Sequence, residues 1–168
     1  DQFPKSPGLS DMPVPAQLPD FCFPNGVGLL ESAPPPTYFH FVLTDVSGTA
    51  LYVSCITFYD KMDSIEVLNL FRSDNSKGSA PKFPDWVNLQ AMDENPVLYT
   101  PKCLCIISHW GFFNVYKRFL ATLFRIYKAE SPIPLERYII NFMFDVPLPP
   151  RGDTRVQYTL ADETFFIS

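Results

Sequence analysis

The chain has 168 residues, 46% of them hydrophobic, with 16 phenylalanines and a net charge of −5. That length is one domain's worth, and a domain of about 150 residues buries roughly 68–70% of its unfolded surface, enough to hold a core without staples. The apolar fraction excludes global disorder, the acidic balance argues against nucleic acid as a partner, and no window approaches the ~18–20 apolar residues that a membrane span requires.

Residues 1–20 carry Pro4, Pro7, Pro13, Pro15 and Pro19. Each proline fixes φ and removes a donor, so this arm is expected to be extended and irregular. It reads as a strap over the domain, because Leu18, Phe21 and Phe23 follow and need burial; a PxxP ligand is the other reading. The start at Asp1, without Met or a signal-peptide pattern, reads as an excised cytoplasmic fragment.

Tyr38 to Thr44 predicts a strand with Phe39, Phe41 and Leu43 on one face and Tyr38, His40 and Val42 on the other. Asp45-Val46-Ser47-Gly48 is a turn signal, and Leu51 to Tyr59 is a second strand, completing a hairpin. Both faces of the second strand are apolar, so it is expected to be central and covered on both sides. Residues 60–98 change character: Ile65 to Phe71 suits a short helix, Asp74 to Ser79 a loop tip, and the whole reads as a variable surface excursion. Lys102 to Ser108 is a third strand, a continuous apolar run expected to be buried on both faces.

Phe112 to Lys128 predicts the longest helix, with an apolar stripe at 112, 113, 116, 119, 120, 123, 124 and 127. Asn114, Arg118, Ala121, Arg125 and Lys128 form the opposite, basic face. Ser131-Pro132-Ile133-Pro134 ends this helix and opens the next, Leu135 to Phe144, with Leu135, Tyr138, Ile139, Phe142 and Met143 facing inward. Thr154 to Leu160 and Thr164 to Ile167 are the last two strands, joined by a turn at Asp162-Glu163. The predicted architecture is an α/β sandwich of order β-β-β-α-α-β-β, a mostly antiparallel five-stranded sheet flanked by helices. Covering the middle strands on both faces needs the helices together with the N-terminal arm or a further lobe.

The chemical inventory offers no catalytic set. Ser108 and His109 are strand neighbours, which point to opposite faces, so a Ser–His relay there is not expected. No glycine-rich phosphate cradle is present. Asp60, Asp63 and Glu66 lack the glycine turn and terminal glutamate of a calcium loop and read as a solvated face. The cysteines Cys22, Cys55, Cys103 and Cys105 show no CxxC spacing and read as small core side chains; a metal at Cys103 and Cys105 would lack partners, the only histidines being His40 and His109. Arg151-Gly152-Asp153 reads as turn chemistry between a proline run and a strand. The basic helix face is either an ordinary solvated surface or a contact for an acidic protein or an anionic membrane, where each near-surface cation contributes ~1 kcal/mol.

Four stretches resemble the upstream segment of DENN-domain proteins. Phe21-Cys22-Phe23-Pro24-Asn25-Gly26 is similar to that family's opening. Phe41 to Asp45 with Leu51 to Tyr59 resembles its first hairpin. Lys102 to Ser108 followed by Phe112-Phe113 resembles its strand and helix start, with Trp110-Gly111 where a proline is usual. Pro134 to Ile139 and Val146 to Gly152 resemble its PLExYI and proline-rich signature, interrupted at Arg151. The resemblance implies an upstream, longin-like domain over 21–168, with the 60–98 loop variable. It implies a guanine-nucleotide exchange role toward a Rab GTPase in membrane traffic, at the cytoplasmic surface of vesicles or endomembranes. It also implies a downstream central DENN lobe as a partner, without which exchange by these residues is weak or absent. The alternative is a longin-type scaffold that binds a GTPase or trafficking complex without exchange; a small-molecule enzyme would show a polar-lined pocket. Exchange needs no acid, nucleophile, metal or cofactor, only tighter binding of the nucleotide-free GTPase. From exposure alone, the expected partner contacts are His109, Trp110, Asn114, Arg118, Arg125 and Lys128.

Overall fold

The computed structural model describes residues 16–24, 26–44, 48–62, 97–147 and 155–167. The expected helix at Ile65 to Phe71, the loop tip at Asp74 to Ser79, the Arg151-Gly152-Asp153 tripeptide and most of the proline arm lie outside these residues. The chain divides into two compact units, one of Asp1–Leu18, Tyr38–Ile56 and Leu104–Ser168, the other of Pro19–Thr37 and Thr57–Cys103.

Helix α1 (Leu18–Cys22) corrects the expected extended arm at its end. Pro19 stands in its first turn, where the missing N–H has no intrahelical partner to lose, and Asp20 suits the helix start. Strands β1 (Thr37–Thr44), β2 (Ala50–Lys61) and β3 (Tyr99–Ser108) form a three-stranded sheet in the order β1-β2-β3. Along β2 four consecutive residues, Val53, Ser54, Cys55 and Ile56, are buried, so both faces of this strand are covered, as its composition requires. The expectation for β3 does not hold. No residue of β3 is fully buried and Cys105 is exposed, because among the described residues this strand lies at the sheet's edge. Cys105 is therefore not the core side chain expected, whereas Cys22 and Cys55 are buried.

In the second unit, Leu30 and Tyr99 exchange both backbone bonds, at 3.1 and 2.8 Å. The Met62 N–H donates to the Leu98 carbonyl at 2.8 Å, and Lys102 Nζ meets Asp60 Oδ2 at 2.8 Å. Partner numbers fall on one strand as they rise on the other, so β2 and β3 run antiparallel here. Strand β2 thus extends two residues beyond its predicted end, and β3 starts three residues early.

The first unit holds the main core. Helix α2 (Phe113–Lys128) buries Tyr116, Phe119, Leu120, Thr122 and Leu123. Each fully buried large apolar side chain contributes ~1.5–3 kcal/mol, so this stripe anchors the unit. Helix α3 (Leu135–Ile140) continues into a π-helical turn, Asn141–Asp145. The single α-helix expected over Leu135 to Phe144 is corrected accordingly. The wider turn keeps Phe142 inward, stacked on Phe119 at 3.9 Å between centroids, and leaves Met143 44% exposed instead of inward. Asn141 braces the turn: its Nδ2 donates to Asp145 Oδ2 at 2.6 Å, and its Oδ1 accepts from Tyr158 Oη at 2.9 Å.

Strands β4 (Val156–Leu160) and β5 (Glu163–Ile167) pair antiparallel through a two-residue turn, Ala161–Asp162. The turn starts one residue before the Asp162-Glu163 position predicted. Tyr158, Leu160, Phe165 and Ile167 alternate inward and are buried. Phe119, Leu123, Tyr158, Leu160 and Phe165 form one cluster, against which Leu104, Ile106, Leu135, Tyr138, Ile139 and Phe142 pack. The five strands therefore do not make the single sheet expected: they form a three-stranded sheet and a separate two-stranded hairpin. A two-stranded hairpin is marginal alone, and this one is held through its apolar face by α2 and α3.

Candidate functional site

The described helices include none long and apolar enough to cross a membrane. The surface that stands out is α2 and the loop leading into it. Its 16 residues contain Lys117, Arg118, Arg125 and Lys128 and no acid. The six contacts expected from sequence are all exposed. They do not converge. His109 and Trp110 sit in the β3–α2 loop, while Asn114 to Lys128 spans about 21 Å of helix at 1.5 Å per residue.

The loop end is aromatic. Trp110 is 49% exposed, its backbone N–H donating to Ser108 Oγ at 3.0 Å and its ring stacked on Phe112 at 6.2 Å and 11°. Tyr116 Oη donates to the same Ser108 Oγ at 2.9 Å; burial, partly offset by that bond, pushes its phenol above the ordinary range. Phe113 turns to the sheet, 4.3 Å from the His40 ring and edge-on to Tyr52. Tyr38 Oη donates to the Phe113 carbonyl at 3.1 Å, and Lys117 Nζ lies 5.4 Å over the Tyr38 ring. Trp110 is thus held by its own chain on one side while about half of it stays exposed.

The middle of the helix is engaged by the chain itself. Arg125 Nη2 meets Glu163 Oε1 at 2.5 Å and Asp162 Oδ1 at 3.9 Å. Arg118 Nη2 donates to the Thr164 carbonyl at 3.0 Å and lies 3.9 Å from Glu163 Oε2, with its guanidinium 4.9 Å over Phe165. Thr122, 1% exposed, donates to Glu163 Oε2 at 3.1 Å. Arg118 and Arg125 therefore clamp the β4–β5 hairpin. Sequence reading missed Glu163, Asp162, Thr122 and Thr164 in this role. The available signal was charge: two arginines seven residues apart on one helix face, and an adjacent acid pair at a hairpin turn. At the far end Lys128 Nζ lies 5.7 Å from the Tyr127 ring and 6.0 Å from that of Phe124.

A groove of about 570 Å³ opens where the α2–α3 connection, α3 and the β4 end meet, lined by Pro132, Ile133, Arg137, Tyr138, Asn141 and Thr159 among others. No histidine, cysteine or carboxylate lines it, and Asn141 is committed to Tyr158 and Asp145. Burial, with the nearby Asp145 charge adding to it, pushes the Tyr158 phenol up to about 12, so it acts there as a neutral donor. Among the described residues, the lining of this groove assembles no acid–base or nucleophile pair.

Comparison with known proteins bears on the same surfaces. The uDENN domain model matches residues 1–58, and the DENN (AEX-3) domain model matches residues 99–168, the stretch that carries α2, α3 and the hairpin. The chain is 30% identical over 173 residues to the DENN domain and WD repeat-containing protein SCD1 of Arabidopsis thaliana, an alignment covering 96% of this chain and 13% of that protein. No solved structure matches the chain significantly. Two domain models of the same family in order along the chain, with a relative aligned over 96% of it, place the family: the chain belongs to the DENN-domain proteins.

Proposed function

We propose that the chain is part of a guanine-nucleotide exchange factor for a Rab GTPase, and that it supplies a docking surface on α2 and the loop before it. DENN domains generally act as exchange regulators of Rab GTPases in membrane traffic; the observation that carries the reading is the match to both DENN-family models. The physical mechanism is linkage. A protein that binds the nucleotide-free GTPase more tightly than the loaded form weakens nucleotide binding by the same factor.

The open Trp110 face, flanked by His109 and Asn114, is the anchor. Arg118, Arg125 and Lys128 add a positive field that steers an acidic partner, even with the two arginines engaged in the hairpin clamp. The same field suits peripheral contact with an anionic vesicle or endomembrane surface on the cytoplasmic side. The chain spans 13% of the length of the Arabidopsis relative. A downstream central DENN lobe completes the GTPase site.

The test is nucleotide release from a panel of Rabs loaded with a fluorescent nucleotide. The longer protein accelerates release from at least one Rab, and these 168 residues alone do so weakly or not at all. Full activity from the 168 residues would remove the need for the downstream lobe. Binding without accelerated release by the longer protein would favour the scaffold alternative.

A further inference from the structure

The α2–α3 connection, residues 129–134, is exposed at every position except Ser131, which is half-buried. Glu130, at φ +48°, turns the chain out of α2. Ser131 Oγ accepts the Ile133 N–H at 3.2 Å and lies 3.4 Å from Tyr138 Oη. Pro132 follows it directly. The other Ser/Thr-Pro pair among the described residues, Thr100-Pro101, lies inside β3, where the backbone is committed to the sheet. One position before Tyr138, Arg137 lines the groove together with Pro132 and Ile133. Arg137 is exposed, and no carboxylate pairs with its guanidinium among the described residues.

We propose that Ser131 is a phosphorylation site for a protein kinase that requires proline after the acceptor, and that Arg137 receives the phosphate. The Ile133 N–H and the Tyr138 hydroxyl stand at Ser131 Oγ, and the Arg137 guanidinium belongs to the groove that Pro132 and Ile133 line, so it is a further donor for a phosphate that extends from Ser131. A phosphoserine presents three acceptor oxygens and a charge of about −1.5 to −2, which this set matches. A guanidinium and a phosphate also make the planar, two-pronged pairing that a lysine does not. In the transfer, Ser131 Oγ attacks the γ-phosphorus of ATP held by the kinase. The Oγ–P bond forms, the bond from that phosphorus to the β,γ-bridging oxygen breaks, ADP leaves, and the hydroxyl proton passes to the kinase's base. The product ties the connection to α3 at the rim of the groove.

The test uses the folded 168-residue chain, a proline-directed kinase and Mg–ATP. Peptide mass mapping is expected to place one phosphate on Ser131 and none there in Ser131→Ala. The phosphoserine is then titrated by 31P NMR. Its second ionisation, ordinarily near pH ~6, is expected to fall by about half a unit or more relative to Arg137→Gln, with Arg137→Lys between them. Glu130 and Glu136 push the other way, equally in wild type and in Arg137→Gln, and cancel in the comparison. A folded chain that takes no phosphate at Ser131 overturns the site. Identical titrations in wild type and Arg137→Gln overturn the role of Arg137.

Discussion

Replacing Glu163 separates the hairpin clamp on the basic face of α2 from the partner contact that was expected of that face. Glu163 accepts from Arg125 at 2.5 Å and from Thr122 at 3.1 Å, and Thr122 is 1% exposed. Glu163→Ala leaves that buried hydroxyl with only a 3.5 Å contact from Arg125. An unsatisfied buried polar group costs about 1–3 kcal/mol. The lost pairing with Arg125, whose side chain is 54% exposed, adds only ~0.2–1 kcal/mol. The expected total is about 1–4 kcal/mol, and at ~2–4 °C per kcal/mol for a domain of this size Tm falls by roughly 2–16 °C. Glu163→Gln keeps an acceptor for Thr122 and discards the charge, so it costs under about 1 kcal/mol. Urea unfolding of both variants, with a Thr122→Val cycle on Glu163→Ala, reads these terms. If Ala and Gln prove equally mild, within ~0.5 kcal/mol, the clamp is not a structural element and the arginines return wholly to partner binding.

Other outcomes follow from single features. Ala161 sits at φ +54°, where a Cβ is disfavoured, so Ala161→Gly is expected to stabilise by about 1 kcal/mol in urea unfolding. Phe119 is 2% exposed and stacked on Phe142, so Phe119→Ala is expected to cost about 3–5 kcal/mol, read in the same assay. Tyr158 is held neutral with its pKa raised to about 12, above the unfolded value of 10.0. Its contribution is complete below pH 10 and is lost as pH rises from 10 toward 12, because only the unfolded chain ionises in that window. Asp145→Asn removes the charge that assists burial, so the phenolate absorbance near 295 nm should appear at lower pH.

The helix and hairpin regions were legible because each carries a local period. The 3.6-residue stripe of α2 and the two-residue alternation of β4 and β5 state which side chains go inward wherever the elements dock. Strand β2 was legible for a related reason, apolar residues on both faces. Position within a sheet was not legible. β3 has the composition of a covered strand yet lies at the edge, since strand order depends on pairings remote in sequence. The π turn carries no local period, and the bond that braces it, from Tyr158 to Asn141, joins residues 17 apart in sequence. The clamp was hidden similarly, as Arg125 and Glu163 are 38 residues apart. The exposed face of α2 was read correctly, but exposure alone does not show that two of its cations are already engaged. Trp110 was expected to be exposed, and it is; the Ser108 bond and the Phe112 stacking that hold it could not be read from the sequence.

Affinity for the two states of a Rab tests the docking account most directly. Binding of the longer protein to nucleotide-free and GDP-loaded forms is measured across a Rab panel, with and without Trp110→Ala. At least one Rab should bind roughly tenfold or more tightly when nucleotide-free, a difference of ~1.4 kcal/mol, and Trp110→Ala should weaken that binding while leaving the fold intact. Equal affinity for the two forms of every Rab would contradict the account.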